Sequence, residues 1–264
     1  ILGLFTRKIH MPAVVGALVA GVILGPSCLN LITLTGDTGV FLEQMAEIGV
    51  ILLMFNAGLE TDLSELKKNG VASFVTALIG VIVPLVGGFL GYAFFFHTDF
   101  SDYDEVLKAV FVGVVLTATS VSITVETLRE MGKLKSKVGT AILGAAVIDD
   151  ILGIVVLTIL TALTDPSVKP ILVLGRIVAF FGFVLVVGLV MYRVFLKMEE
   201  KWHHHRRIAI YAVAFAFLMS YVAERYFGIA DITGAFIAGL IISNTSKSDF
   251  VLKKFDTMSY MLLS

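Results

Sequence analysis

An all-α, polytopic membrane protein is the fold class this sequence predicts, and three observations predict it. Hydrophobic residues make up 58% of the 264 and charged residues 16%, with a mean hydropathy of +0.95, whereas soluble domains carry roughly a quarter charged residues. Apolar runs of about 20 residues recur along the chain, the length a helix needs to cross the bilayer core. The runs are continuous rather than alternating, unlike barrel strands of about ten residues. Helices are then the way to satisfy every backbone group in lipid.

The apolar segments fall at 1–5 (a stub), 12–25, 41–59, 70–96, 106–128, 138–163, 170–196, 208–227 and 230–243, with a last stretch from Phe250. That makes eight spans and a stub. Each is justified by the loops that bound it, because Lys and Arg mark the cytoplasmic side. Basic loops occur at Arg7-Lys8, Lys67-Lys68, Arg129 to Lys137, Arg193 to Arg207 and Lys247 to Lys254. The intervening loops are acidic or neutral: His97 to Glu105 holds Asp99, Asp102, Asp104 and Glu105 without a Lys or Arg. One missed or invented span would invert every later loop, so the unbroken alternation supports the count independently of hydropathy.

Net charge of −1 argues against a nucleic-acid partner, which would need a basic face against phosphates. The single cysteine, Cys28, excludes an internal disulfide framework and a cysteine-cluster metal site. The first residue is Ile1, with no basic region before the apolar run, so no signal peptide is expected and the chain reads as a piece of something longer. Two short, glycine-rich spans read alike, Gly16 to Leu24 and Gly234 to Ile242. They cross in opposite directions, which predicts an inverted repeat, although small residues for close helix packing give the same pattern. An offset of 218 residues between Gly16 and Gly234 would place most of the second repeat beyond Ser264.

The strongest single feature is Asp149-Asp150, midway along an apolar segment with no other charge between Lys137 and Asp165. An ionised Asp at that depth costs on the order of 2.5–3.5 kcal/mol. Helix capping cannot explain a pair three turns from either end, and no Lys or Arg at midplane depth is available as an ion-pair partner. A transported ion or proton is the reading that remains. Adjacent helix positions differ by about 100° in azimuth, so one carboxylate can face an aqueous path while the other meets a protein group. The two should titrate as a coupled unit, and carboxylate oxygens suit hard cations. Competition of a proton and a cation for one site is the chemistry of antiport.

The preceding span holds Thr117, Thr119, Ser120, Ser122 and Thr124 within eight residues. Hydroxyls that bond the preceding turn of a continuous helix are one reading. The other is an unwound break lining a cavity, with half-helix ends of opposite partial charge, and its place one span before the Asp pair favours the break. Asn56 bonds across helices or lines the ion path, and residues alone do not separate these. Glu60 and Asp62 read as solvated at a cytoplasmic helix end, with Glu60 able to reach an inner vestibule. Asp231 reads as the N-cap of the short helix after it. His203, His204 and His205, beside Trp202, read as a solvated or pH-sensitive face.

These residues carry a resemblance. The run Gly144 to Gly153 with its Asp149-Asp150, the stretch Ala118 to Thr124, Pro12 to Pro26 and the L-L-M-F-N-A-G-L-E of Leu52 to Glu60 resemble the bacterial sodium/proton antiporters of the monovalent cation:proton antiporter-2 family. The resemblance covers essentially the whole chain. It implies two crossing broken helices at the ion site, an elevator-like exchange, a homodimer in contact with lipid, and a multi-pass location in the bacterial inner membrane. It divides the partial antiporter region 1–264 into early helices with dimerisation-side elements (1–59), core helices of the ion site (70–163), and a linker helix with the start of the second repeat (170–243). Asp150 matches the aspartate that carries Na+ or H+, and Asp149 the one that pairs with a lysine in electrogenic members. Thr119 and Ser120 match the break, and Thr117, Thr124, Asn56 and Glu60 are candidates along the ion path. The second broken helix and the lysine-bearing helix would lie beyond Ser264.

The expected function is therefore electrogenic Na+/H+ or Li+/H+ exchange, with K+/H+ exchange or K+ efflux as the alternative, and with transported ions rather than a cofactor. An intramembrane aspartyl protease also uses two aspartates, but these need facing helices to share a proton, and adjacent residues of one helix do not meet that need. A channel fits a titrating pair in a closed apolar helix less well than stepwise exchange does. The sequence thus predicts a transporter and not an enzyme.

Overall fold

Bounding residues and hydropathy together set the helices of the computed structural model, which describes residues 2–8, 11–32, 36–164, 169–201, 205–243 and Leu252. In order these are α1 (Leu2–Lys8), α2 (Ala13–Leu24), α3 (Gly36–Glu60), α4 (Leu63–Lys68), α5 (Gly70–Phe96), α6 (Tyr103–Thr117), α7 (Val121–Glu130), α8 (Lys137–Thr164), α9 (Pro170–Lys201), α10 (His205–Val222) and α11 (Asp231–Ser243). No strand occurs among the described residues. Pro12 and Gly25 bound α2, and His97 in the left-handed region ends α5. Asp62 caps α4 through the Ser64 and Glu65 amides, and hydrogen bonds from the Ser64 hydroxyl and amide hold its carboxyl below the usual value.

Among the described residues, six helical segments are long and apolar enough to cross a membrane: 36–60, 70–96, 103–130 taken through its interruption, 137–164, 170–197 and 208–227. The two shorter apolar helices, α2 and α11, are the glycine-rich pair of the sequence. The protein is a multi-pass membrane protein of all-helical fold. Two features differ from expectation. The short α4 precedes α5, and the end of the 208–227 segment winds into a π-helical turn at Ala223–Phe227, closed by Gly228 in the left-handed region. Such a turn shifts the phase of the side chains after it.

Contacts between helix ends agree with the loop alternation. Ser73, early in α5, donates to the Ala141 carbonyl early in α8 at 3.0 Å. Tyr103, at the start of α6, reaches the Leu163 carbonyl at the end of α8. Gly58 of α3 lies against Phe236 and Leu240 of α11, and a turn or more earlier in both helices the carboxylates of Glu47 and Asp231 lie within 4.8 Å of one another, so these helices run parallel, as the second and eighth spans must.

Two packed groups result. α5, α6 and α8 form one, drawn together where Gly88 meets Gly113 and where Gly144 meets Ser73. α3, α10 and α11, with the π turn, form the other; its interior holds Phe55, Met54, Met219, Phe236 and Ile242. α9 leans on both. The α3–α11 seam depends on glycine, because a Cβ at Gly58 would overlap the Phe236 carbonyl and one at Gly239 would sit 2.8 Å from the Leu59 nitrogen. Overpacking of this kind costs about 1–3 kcal/mol. Gly58→Ala is therefore expected to lower thermal stability in detergent, whereas Gly80→Ala, at a position with nothing within 4 Å, should leave it unchanged or raise it.

Candidate functional site

The fourth span is not a continuous helix. α6 ends at Thr117, Ala118 (φ −66°, ψ 117°) and Ser120 (φ −78°, ψ 106°) are extended, and α7 begins at Val121. The hydroxylic residues stabilise the interruption. Ser120 Oγ accepts the Ile123 N–H at 3.4 Å, and the Thr124 hydroxyl donates to the Ser120 carbonyl at 3.0 Å. Thr119 donates to the Thr117 carbonyl at 3.3 Å, and Thr117 to the Val114 carbonyl at 2.8 Å. The break leaves terminal carbonyls of α6 and terminal amides of α7 facing one region of the membrane interior, a negative and a positive partial charge.

Asp149 and Asp150 are both partly buried, midway along α8. The Thr119 hydroxyl lies within hydrogen-bonding reach of the Asp149 carboxylate, which places the break directly beside the pair. Gly144 contributes to that placement, since its lack of a side chain lets α8 approach Ser73 of α5. Asp150 has Asp149 and Asp231 within electrostatic reach. The site therefore combines carboxylate oxygens, hydroxyls, backbone carbonyls and amide donors, a set able to hold a small hard cation in one state and a proton in another.

The other sequence candidates fall in several places. Thr117 is buried and Thr124 half-buried, both with hydroxyls on backbone carbonyls of their own span. Asn56 is fully buried, and neither its amide nitrogen nor its oxygen has a hydrogen-bond partner among the described residues; an unpartnered buried polar group costs roughly 1–3 kcal/mol. Glu60 is not simply solvated at its helix end: it pairs with Arg129 at 3.2 Å, because the end of α7 packs against the end of α3. Asp62 is exposed. Asp231 opens α11 and accepts the Ile232 N–H at 2.7 Å. Trp202, His203 and His204, and the basic residues Lys247, Lys253 and Lys254, lie outside the described residues, as does the side chain of His205.

Sequence reasoning missed Glu47 and Glu224. Their carboxylates and that of Asp231 lie within 4.8 Å of one another, a row of acids that continues towards Asp150. Their positions on α3, the π turn and α11 are far apart in the chain, and no local pattern joins them. A groove of 680 Å³ lined by Tyr92, Asp104, Lys108, Phe111 and Leu160 lies at the opposite ends of α5, α6 and α8 from Ser73 and Ala141.

Capping at the break generates a test. Ser120→Ala is expected to weaken the first turn of α7 by about 1 kcal/mol, seen as faster hydrogen exchange at Ile123, while Ser120→Asp should keep the protection.

Residues 1–264 match the transmembrane domain family described as "Sodium/hydrogen exchanger, transmembrane". The chain is 37% identical over 256 residues to the Na(+)/H(+)-K(+) antiporter GerN of Bacillus cereus, covering 97% of this chain and 63% of that protein. It is 37% identical over 262 residues to an Na(+)/H(+) antiporter of Enterococcus hirae, covering 97% and 64%. A high-affinity Na(+)/H(+) antiporter of Synechocystis is 31% identical over 276 residues, covering 92% and 58%. The chain thus spans a little under two thirds of the length of these relatives.

Proposed function

The chain belongs to the sodium/hydrogen exchanger transmembrane family, and on that premise we propose that it is the site-bearing part of an antiporter that exchanges Na+ or Li+ for H+ across the bacterial cell membrane. The observation that carries this reading is the meeting of the interrupted span with the mid-membrane acid pair, through Thr119 and Asp149. Asp150 binds the cation when ionised and a proton otherwise, so the two compete and each crossing carries one or the other. Asp149 holds the break in register with α8. Thr119, Ser120 and the α6 terminal carbonyls supply neutral oxygens that replace part of the cation's hydration shell.

The row Glu47, Glu224 and Asp231 supports the same reading, because clustered acids at a mouth raise the local cation concentration. Asn56, Glu60 and Thr124 belong to the opposite, cytoplasmic side of the path. A homodimer and an electrogenic cycle complete the proposal by resemblance to the antiporters. Potassium remains the second reading, favoured by the name of the Bacillus relative, an Na(+)/H(+)-K(+) antiporter.

Proton flux in proteoliposomes of the full-length protein tests both. Addition of NaCl or LiCl should release protons through the wild type, Asp150→Asn should fall to the level of empty liposomes, and Asp149→Asn should be slowed. A response to KCl alone would replace sodium by potassium. Wild-type flux in Asp150→Asn would sink the site assignment.

A further inference from the structure

The far end of α7 is fastened by polar contacts to two helices, α3 and α2. Arg129 Nη2 lies 3.2 Å from Glu60 Oε1 at the end of α3, with the two side chains only 9% and 14% exposed, and Glu126 flanks the same guanidinium at 3.8 Å. The next residue, Glu130, accepts the backbone N–H of Ala13 at 2.6 Å. Ala13 opens α2, and Pro12 before it supplies no side-chain cap. Glu130 therefore satisfies a terminal amide and the positive end of a helix 117 residues away in sequence. Both contacts tie α7 to helices of the early region.

One turn above Glu60, on the same face of α3, sits Asn56, whose two amide atoms have no hydrogen-bond partner among the described residues. The α7 residue one turn above Arg129 is Val125, also completely buried, and beyond it is the break. A polar group of this kind gains by hydration, while the ion pair and the cap favour closure. Opposing terms at one contact make a two-state element.

We propose that Arg129 and Glu130 form a cytoplasmic latch that holds the α7 half-helix against α3 and α2, and that Asn56 is the polar group sealed behind it. Release of the latch admits water to Asn56 and opens the route from the cytoplasm to the break. Arg129, Glu130 and Asn56 are positioning residues: they set which side the site faces and do not bind the transported ion. The role in transport rests on the exchange reading; the latch itself does not.

The test uses the full-length protein in inside-out vesicles, with Cys28 and any other cysteine of the full chain replaced by Ser and a single reporter, Val125→Cys, labelled by a membrane-impermeant maleimide. With the latch intact labelling should be slow. Arg129→Gln with Glu130→Gln should label several-fold faster, and Arg129→Lys alone should stay near the parent. Asn56→Leu should label more slowly than the parent, raise thermal stability and lower the exchange rate, a combination that misfolding cannot produce. Equal labelling in all variants overturns the latch, and so does an Asn56→Leu protein that is less stable or exchanges at the parental rate. Labelling that follows the expected order without any cation-driven proton flux leaves the latch standing and removes the exchange reading.

Discussion

Hydrocarbon does not solvate a peptide group, and the architecture depends on how the chain answers that constraint at residues 118–120. An extended stretch inside a membrane is tolerable only where something else satisfies its backbone. Here the answer is local and tertiary at once. Ser120 and Thr124 close the first turn of α7, Thr117 and Thr119 bond the last carbonyls of α6, and Asp149 of α8 stands beside Thr119. The same groups that make the break affordable also make it chemically useful, since they are oxygens and amides gathered where the membrane otherwise offers none.

That arrangement imposes requirements on the packing. The break must lie beside the acid pair to within a hydrogen bond, so α5, α6 and α8 approach through Gly88, Gly113 and Gly144 rather than through bulky side chains. The second group is joined in the same manner at Gly58 and Gly239. α7 packs between these groups, against α3 and α2 on one side and α8 on the other. It is short, buries Val121 and Val125 in the core with Leu128 packed beside them, and ends on the Arg129–Glu60 pair and the Glu130 cap. In the proposed latch, an ion pair and a helix cap part more readily than interdigitated side chains, as a gate requires.

Much of this was legible in the sequence because the relevant signals are local. Hydropathy sets the spans, loop charge sets their direction, and the cluster Thr117 to Thr124 marked the interruption that the structure has at 118–120. Asp149-Asp150 stood out because nothing else in their segment is charged. The sequence reading of Glu60 as solvated failed for a definite reason: its partner Arg129 is 69 residues away, and a charge at a helix end looks the same whether it meets water or another helix.

The sequence by itself determined an all-helical membrane protein, the order and direction of its spans, the position of the break and the acids at mid-depth, because each follows from side chains a few residues apart against a solvent that tolerates no unpaired backbone. Only the tertiary structure decided which ends meet. The pairing of Arg129 with Glu60, the cap of α2 by Glu130, and the gathering of Glu47, Glu224 and Asp231 join residues from different helices, and the packing of those helices buries Asn56 with no partner among the described residues. Such contacts depend on helix rotation and crossing, which glycine seams and a π turn set and which no linear period records.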